Sequence, residues 1–393
     1  MRIAFDVSVL DTPEPTGVEK VCESLLRALA RRRTGHRIAL VAPRRLPPLP
    51  PLSDEFEPVV LPVEGSLALW RERLVPPFVR ARGIEVFHSP VAAFPLTAPC
   101  RRIATMHEVP WLEAGTEGDE GRRAAHRIWA FLDATYADAV ICPSGRTAEN
   151  LVSLYPTAAP KVRVVFHGVE ARFRPRTRDE GEDAAALGRC GIPAGPFFLM
   201  VGKARAKKNL VHAVRAFRVF LDRTAAPHRL VFVGPRGSAL EPALERARAL
   251  GLAGRVLAAG YVTDDDLARL YRSAEALLFL SHSEGFGLPP LEAMACGAPV
   301  VASDRGAIPE VVGDAGVCVS PDDPLATALA LQRLVADEDF RRDLVRRGFE
   351  RAARFTWEEA AARVLALYAE GVPGPATSAP PIPAALTEGG EHS

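Results

Sequence analysis

Lysine is nearly missing from this sequence. Of 49 basic residues only five are lysine (Lys20, Lys161, Lys203, Lys207 and Lys208), and the rest are arginine. Three of the five fall within six positions, as suits a site that wants compact, flexible point charges. Surplus charge is missing too. The 49 basic residues face 48 acidic ones, a formal net charge of +1, which argues against nucleic-acid binding driven by bulk charge. Long apolar runs are absent, and nothing reaches the roughly 18–20 residues that a membrane-spanning helix needs. Paired cysteines are lacking as well. Cys22, Cys100, Cys142, Cys190, Cys296 and Cys318 are scattered, without CxxC spacing and without histidine at zinc-ligand spacing. Neither a disulfide framework nor a structural zinc is expected, and a reducing, cytoplasmic setting follows. The opening "MRIAFDVSVL" carries Asp6 within its apolar run, so it reads as a first strand and not as a signal peptide.

What is present is an ordinary globular composition, 48% hydrophobic and 25% charged over 393 residues, long enough for two domains. Strand-like runs alternate with helix-length segments. "RIAFDV", "RIALVAP", "VVLPV", "IEVFHSP", "RIATMHEV", "DAVICPS" and "VRVVFHGV" are read as strands, with helices near 17–33, 122–136 and 146–154. The runs are continuous rather than alternating, as in parallel sheets covered on both faces. The pattern pauses over the charged, Gly/Pro-punctuated stretch 172–195 and restarts at "PFFLMVG". The expected organisation is an α/β chain of two doubly wound, Rossmann-like domains. The first spans 1–171, a linker 172–195, and the second domain 196–355. A helix at 356–371 has capping-box spacing between Thr356 and Glu359, and the Pro/Ala/Gly-rich tail 372–393 is expected to be disordered.

The most informative stretch is "HSEGFGLPPLEAMACGAPVVAS", from His282 to Ser303. A strand is expected to end before it, and a helix to begin near Pro289 and Pro290 and stop at Gly297. A glycine-rich turn into a helix leaves backbone N–H groups free and points a positive dipole end outward, which suits a phosphate. Gly285 and Gly287 permit close approach to the main chain. Glu284 precedes this turn and Glu292 is placed in the first helical turn, so the two flank one crevice; carboxylates accept pairs of sugar hydroxyls. For Glu292 alone, complementing the helix dipole would be sufficient reason, but that leaves Glu284 and Gly-Phe-Gly unexplained. "VGKARAKKNL" sets Lys203, Lys207 and Lys208 on another strand-to-helix loop of the same sheet edge. Ammonium groups for a diphosphate and carboxylates for hydroxyls together describe a nucleotide-sugar site. The acidic run Asp264, Asp265 and Asp266 follows Thr263 and is expected to cap a helix rather than to bind a metal; Ser144 reads as a helix cap as well.

These segments resemble the family 4 retaining glycosyltransferases of GT-B fold, over nearly the whole chain. "EGFGLPPLEAMACGAPVVAS" is similar to their E-x7-E signature, "VGKARAKKNL" to their basic loop, "PTGVEKVCESLLRAL" to their first glycine loop and "ATMHEVPWL" to their TxHD segment. The resemblance implies that Glu284 contacts the donor sugar and Glu292 the ribose. Main-chain groups around Phe286, Gly287 and Leu288 would meet sugar and phosphate, and Lys208, with Lys203, would neutralise the diphosphate. His107 would approach the sugar from the first domain, and Gly17 the diphosphate across the cleft. Lys207 stands where arginine is usual, and Glu108 replaces an aspartate. His107, Glu284 and Lys208 are the implied catalytic set.

The expected reaction moves a hexose from a nucleoside diphosphate, GDP-mannose or a UDP-sugar, to a glycan, lipid-linked or small-molecule acceptor. No metal and no resident cofactor are expected, since the nucleotide-sugar serves as co-substrate. The final helix is expected to pack back on the first domain. The arginine groups at 31–37, 44–45 and 71–82 leave room for weak peripheral contact with anionic lipid, although solvated helix faces explain them better. The rival readings are an epimerase or phosphorylase of the same fold, or a nucleotide-sugar-binding module without catalysis.

Overall fold

Apolar runs without alternation fold here as parallel strands with both faces covered. The computed structural model describes residues 1–12, 15, 17–109, 120–175 and 180–370. The first sheet contains β1 (Arg2–Asp6), β2 (Arg37–Ala42), β3 (Phe56–Val60), β4 (Val86–Ser89), β5 (Arg101–Thr105), β6 (Ala139–Cys142) and β7 (Val162–Val164). Their order is β3-β2-β1-β4-β5-β6-β7. Its helices are α1 (Gly17–Ala30), α2 (Leu67–Arg73), α3 (Val75–Arg82), α4 (Glu120–Tyr136) and α5 (Gly145–Leu154). After α6 (Glu180–Arg189), the second sheet contains β8 (Phe197–Val201), β9 (Arg229–Val233), β10 (Val256–Gly260), β11 (Ala276–Phe279), β12 (Val300–Ser303) and β13 (Val317–Val319). They are arranged β10-β9-β8-β11-β12-β13. Around it lie α7 (Leu210–Thr224), α8 (Leu240–Ala249), α9 (Asp264–Ser273), α10 (Leu288–Cys296), α11 (Ile308–Val312), α12 (Pro324–Ala336) and α13 (Glu338–Ala352), and the last element among the described residues is α14 (Trp357–Ala369).

All strand pairs are parallel. In each sheet the order reverses once, between β1 and β4 and between β8 and β11. Such a switch point opens a crevice at the carboxyl ends of the strands.

Several local expectations shift. β3 lies three residues before "VVLPV", because Phe56 pairs with Ile38 and Pro62 has no N–H to donate to a ladder. Within the connecting stretch, α6 is held to α9 by the Asp183–Arg272 ion pair, 2.6 Å. The tail 372–393, residues 176–179 of the linker and Pro110–Leu112 of the "ATMHEVPWL" segment lie outside the described residues. Among the described residues no helix is long and apolar enough to cross a membrane.

The last helix packs on the first domain, as expected. Thr356 caps it, accepting from Glu359 N at 3.2 Å. Trp357, Ala361, Val364 and Tyr368 are buried in one core with Ile3, Phe5 and Leu26. Where the chain crosses between domains, Val169 N donates to Phe355 O at 3.0 Å, and a side chain at Gly168 would overlap the main chain of Thr356 and Trp357.

Candidate active site

The two switch points face one another across a cavity of about 460 Å³. Gly17, His107, Lys203, Lys208, Glu284, Phe286, Gly287, Leu288 and Glu292 all line it, so the residues assigned to the donor site from the sequence are brought to one place.

Local backbone geometry explains how. After β8, Gly202 takes φ +131° and Asn209 takes φ +58°, a left-handed conformation that asparagine tolerates better than most residues. Asn209 Nδ2 donates to Pro321 O at 2.7 Å. The chain thereby doubles back before α7, and Lys207 and Lys208 turn into the cleft. Lys208 Nζ is paired with Glu284 and sits 4.6 Å over the Phe279 ring. Lys207 Nζ lies 2.6 Å from Glu108 Oε2 of the first domain and 3.8 Å from Glu284. Lys203 is exposed at the rim.

Both lysines act on Glu284. Burial alone would raise its carboxyl, but the charges of Lys207 and Lys208 prevail and hold it at about 2. Glu292 behaves in the opposite sense. Burial lifts it to about 7, against the opposing charge of Lys20 and the hydrogen bond from Tyr271, whose hydroxyl donates to Glu292 Oε2 at 2.9 Å. Glu292 is the fifth residue of α10, past the first turn in which it was expected. Its place on the buried face of the helix, and not dipole complementation, puts it against the cleft.

At Phe286 the side chain and the main chain part company. Its ring is buried in the second-domain core, edge-on to His167 at 5.0 Å, so what it offers the cleft is backbone. Gly287, φ +117°, stands at the head of α10. His107 Nε2–H donates to Pro90 O at 2.7 Å, which leaves Nδ1 as an acceptor in the neutral ring. Burial pushes its pKa down. Ser144 caps α5 as read from the sequence, accepting from Thr147 N at 3.0 Å, and it also donates to Gly285 O at 2.7 Å. Thr263 caps α9, accepting from Asp266 N at 3.2 Å. Asp264, Asp265 and Asp266 pair with Lys20, Arg172 and Arg189 respectively.

Sequence reasoning missed Lys20, Arg205 and Tyr261 in the cavity wall, and Tyr271 behind it. Lys20 was visible as one of five lysines in the chain, but its place on an ordinary amphipathic helix hid it. Nothing in the sequence signals the Lys207–Glu108 pair.

Two doubly wound domains closing on a cleft lined by acids and lysines constitute the GT-B architecture. Residues 15–173 match the model described as Glycosyltransferase Family 4, and residues 192–351 match the one described as Glycosyl transferases group 1. The chain belongs to the family 4 glycosyltransferases.

A D-inositol 3-phosphate glycosyltransferase of Acidothermus cellulolyticus is 36% identical over 283 residues, covering 69% of this chain and 62% of that protein. The O-antigen chain mannosyltransferase B of Escherichia coli is 29% identical over 235 residues, 59% of this chain and 60% of the relative. The match thus spans less than two thirds of either relative's own length. Among solved structures, the sucrose-phosphate synthase of Thermosynechococcus elongatus superposes with TM-score 0.72 at 22% identity, covering 94% of this chain and 98% of that one. The Anabaena Alr3699/HepE protein in complex with UDP and glucose gives 0.73 at 17%, covering 94% and 100%. At these identities the likeness is one of fold.

Proposed function

We propose that this chain is a retaining glycosyltransferase that moves a hexose from a nucleoside diphosphate to a glycan, lipid-linked or small-molecule acceptor. The observation that carries this reading is the pairing of Lys208 with Glu284 beside the head of α10, with Glu292 and Lys203 on the same cavity. A donor diphosphate entering there takes Lys208 as its counter-charge. The backbone N–H groups of Gly287 and Leu288, at the head of α10, add the positive end of the helix. As the sugar C1–O bond breaks, the electron pair leaves with the diphosphate, and these preorganised groups stabilise the growing charge. Glu284, released from Lys208, accepts from sugar hydroxyls, and Glu292 accepts from the ribose. His107 Nδ1 adds an acceptor from the first domain.

Both carboxylates serve as hydroxyl binders in this scheme, so retention at C1 arises from attack on the face the diphosphate leaves. The departing phosphate takes the acceptor's proton. The positive groups named here carry the leaving charge, so the scheme includes neither metal nor resident cofactor. A GDP- or UDP-linked hexose is the proposed donor. A cytoplasmic setting accords with six free cysteines.

The test is a panel of nucleoside-diphosphate sugars with the purified protein, scored by thermal shift and then by product NMR with acceptor. A specific donor raises the melting temperature in proportion to RT ln(1 + [L]/Kd), and the product keeps the donor's anomeric configuration. An inverted product overturns retention. A sugar altered without acceptor indicates an epimerase, and binding without any turnover indicates a binding module.

A further inference from the structure

The donor loop at 284–287 is held from both domains at once. On its own side, Ala307 N, at the start of α11, donates to Glu284 O at 3.1 Å. From the first domain, Ser144 Oγ and Thr147 Oγ1 both donate to Gly285 O, at 2.7 and 3.0 Å. Both hydroxyl residues are buried, Ser144 as the N-cap of α5 and Thr147 in its first turn. That turn has its own need, because the first N–H groups of a helix find no partner inside it. Thr147 N is satisfied by Ser144. The N–H groups of Gly145 and Arg146 are satisfied by the other domain, donating to Glu310 Oε1 and Oε2 at 2.8 and 3.1 Å.

Glu310 can make this approach because position 145 has no side chain. A Cβ there would stand 3.1 Å from Glu310 Oε1. The acid is fixed in its own domain, since Arg351 holds the Glu310 and Val311 carbonyls at the end of α11. A carboxylate set on two backbone N–H groups makes charge-assisted hydrogen bonds and complements the helix dipole. All of these groups return to water when the domains part, so the contact is reversible.

We propose that Glu310 is a positioning residue: its carboxylate clasps the head of α5 when the cleft closes, and so aligns Ser144 and Thr147 on the Gly285 carbonyl that fixes the donor loop. The clasp couples domain closure to assembly of the sugar-binding wall. In its kinetic half the inference rests on the donor reading above; its structural half does not.

The experiment compares the native chain with Glu310→Ala and Glu310→Gln. Small-angle scattering is recorded free and with a nucleoside diphosphate, and kcat is measured beside donor Kd. Glu310→Ala is expected to enlarge the radius of gyration in at least one of the two states. It should also lower kcat by about tenfold or more, because misplaced reacting groups are costly, while donor Kd moves by about threefold or less. Glu310→Gln keeps one accepting oxygen and recovers part of both effects. An unchanged radius in both states overturns the proposal, and so does a kcat loss matched by an equal loss of donor affinity. If Glu310→Ala fails to fold, Glu310→Gln carries both readouts against the native chain. An enlarged radius with no sugar turnover even in the native chain upholds the clasp and refutes the transferase reading instead.

Discussion

Two carboxylates share the cleft, and their surroundings push them in opposite directions. Glu284 stays ionised because two ammonium groups overcome the effect of burial. Glu292 is lifted to about 7 by burial, which the charge of Lys20, itself paired with Asp264, only partly offsets. The ionised form is the better acceptor for ribose hydroxyls, so donor affinity is expected to weaken as pH falls through 7. With about a tenth of Glu292 ionised at pH 6, Kd for a nucleotide-sugar should rise up to about tenfold between pH 8 and pH 6. Titration calorimetry with the native chain and Glu292→Gln checks this; the variant should show a flat profile. Lys208→Ala should lower turnover by about 10²–10³ with the fold retained, since Lys207 still faces Glu284. A rate assay beside near-ultraviolet circular dichroism measures both. The lysine cluster was legible because lysine is rare in this chain, and the glutamates because they flank a glycine-rich turn at short spacing. Lys207–Glu108 was not, for it joins loops of two different domains, and only the tertiary fold brings them together.

At the scale of elements, legibility followed burial. The strands read plainly because β4, β6, β11 and β12 have every residue buried, so their composition carries no competing demand. The helices α12 and α13 were left unassigned for opposite reasons. α12 is apolar on more than one side, with Leu325 and Leu329 exposed, so no stripe stands out. α13 buries only Leu344, Gly348 and Ala352 and looks like solvated charge. α6 was taken for linker because its neighbours are charged and Pro-punctuated. α14 was legible from its cap and stripe, but its partner was not. Tyr368 Oη lies 2.6 Å from His88 Nδ1, with both residues buried. Tyr368→Phe leaves that imidazole nitrogen without a partner and should cost about 1–3 kcal/mol, read as a lower denaturant midpoint at unchanged slope.

At the scale of the molecule, closure and packing meet at glycines. A side chain at Gly285 would overlap the His107 carbonyl oxygen across the cleft. Gly285→Ala is therefore expected to hold the domains apart. Turnover should fall by about 10²-fold, the order that misplacement of about 1 Å costs, while nucleoside-diphosphate affinity on the second domain is largely kept. Scattering and calorimetry together test it, and a closed, active variant would refute it. No sequence pattern marks Gly285 as touching the first domain, because glycine at a helix entry already has a local reason to be there.

The crossing at Gly168 has a consequence for biosynthesis. The first sheet is complete when β7 ends at Val164, yet the helix that covers its apolar face begins only at Trp357. A ribosome needs about 10–40 s to supply the intervening chain at ordinary rates. During that interval the nascent first domain carries an uncovered greasy surface. Chaperone demand should therefore peak midway through translation, before the last helix emerges to cover it.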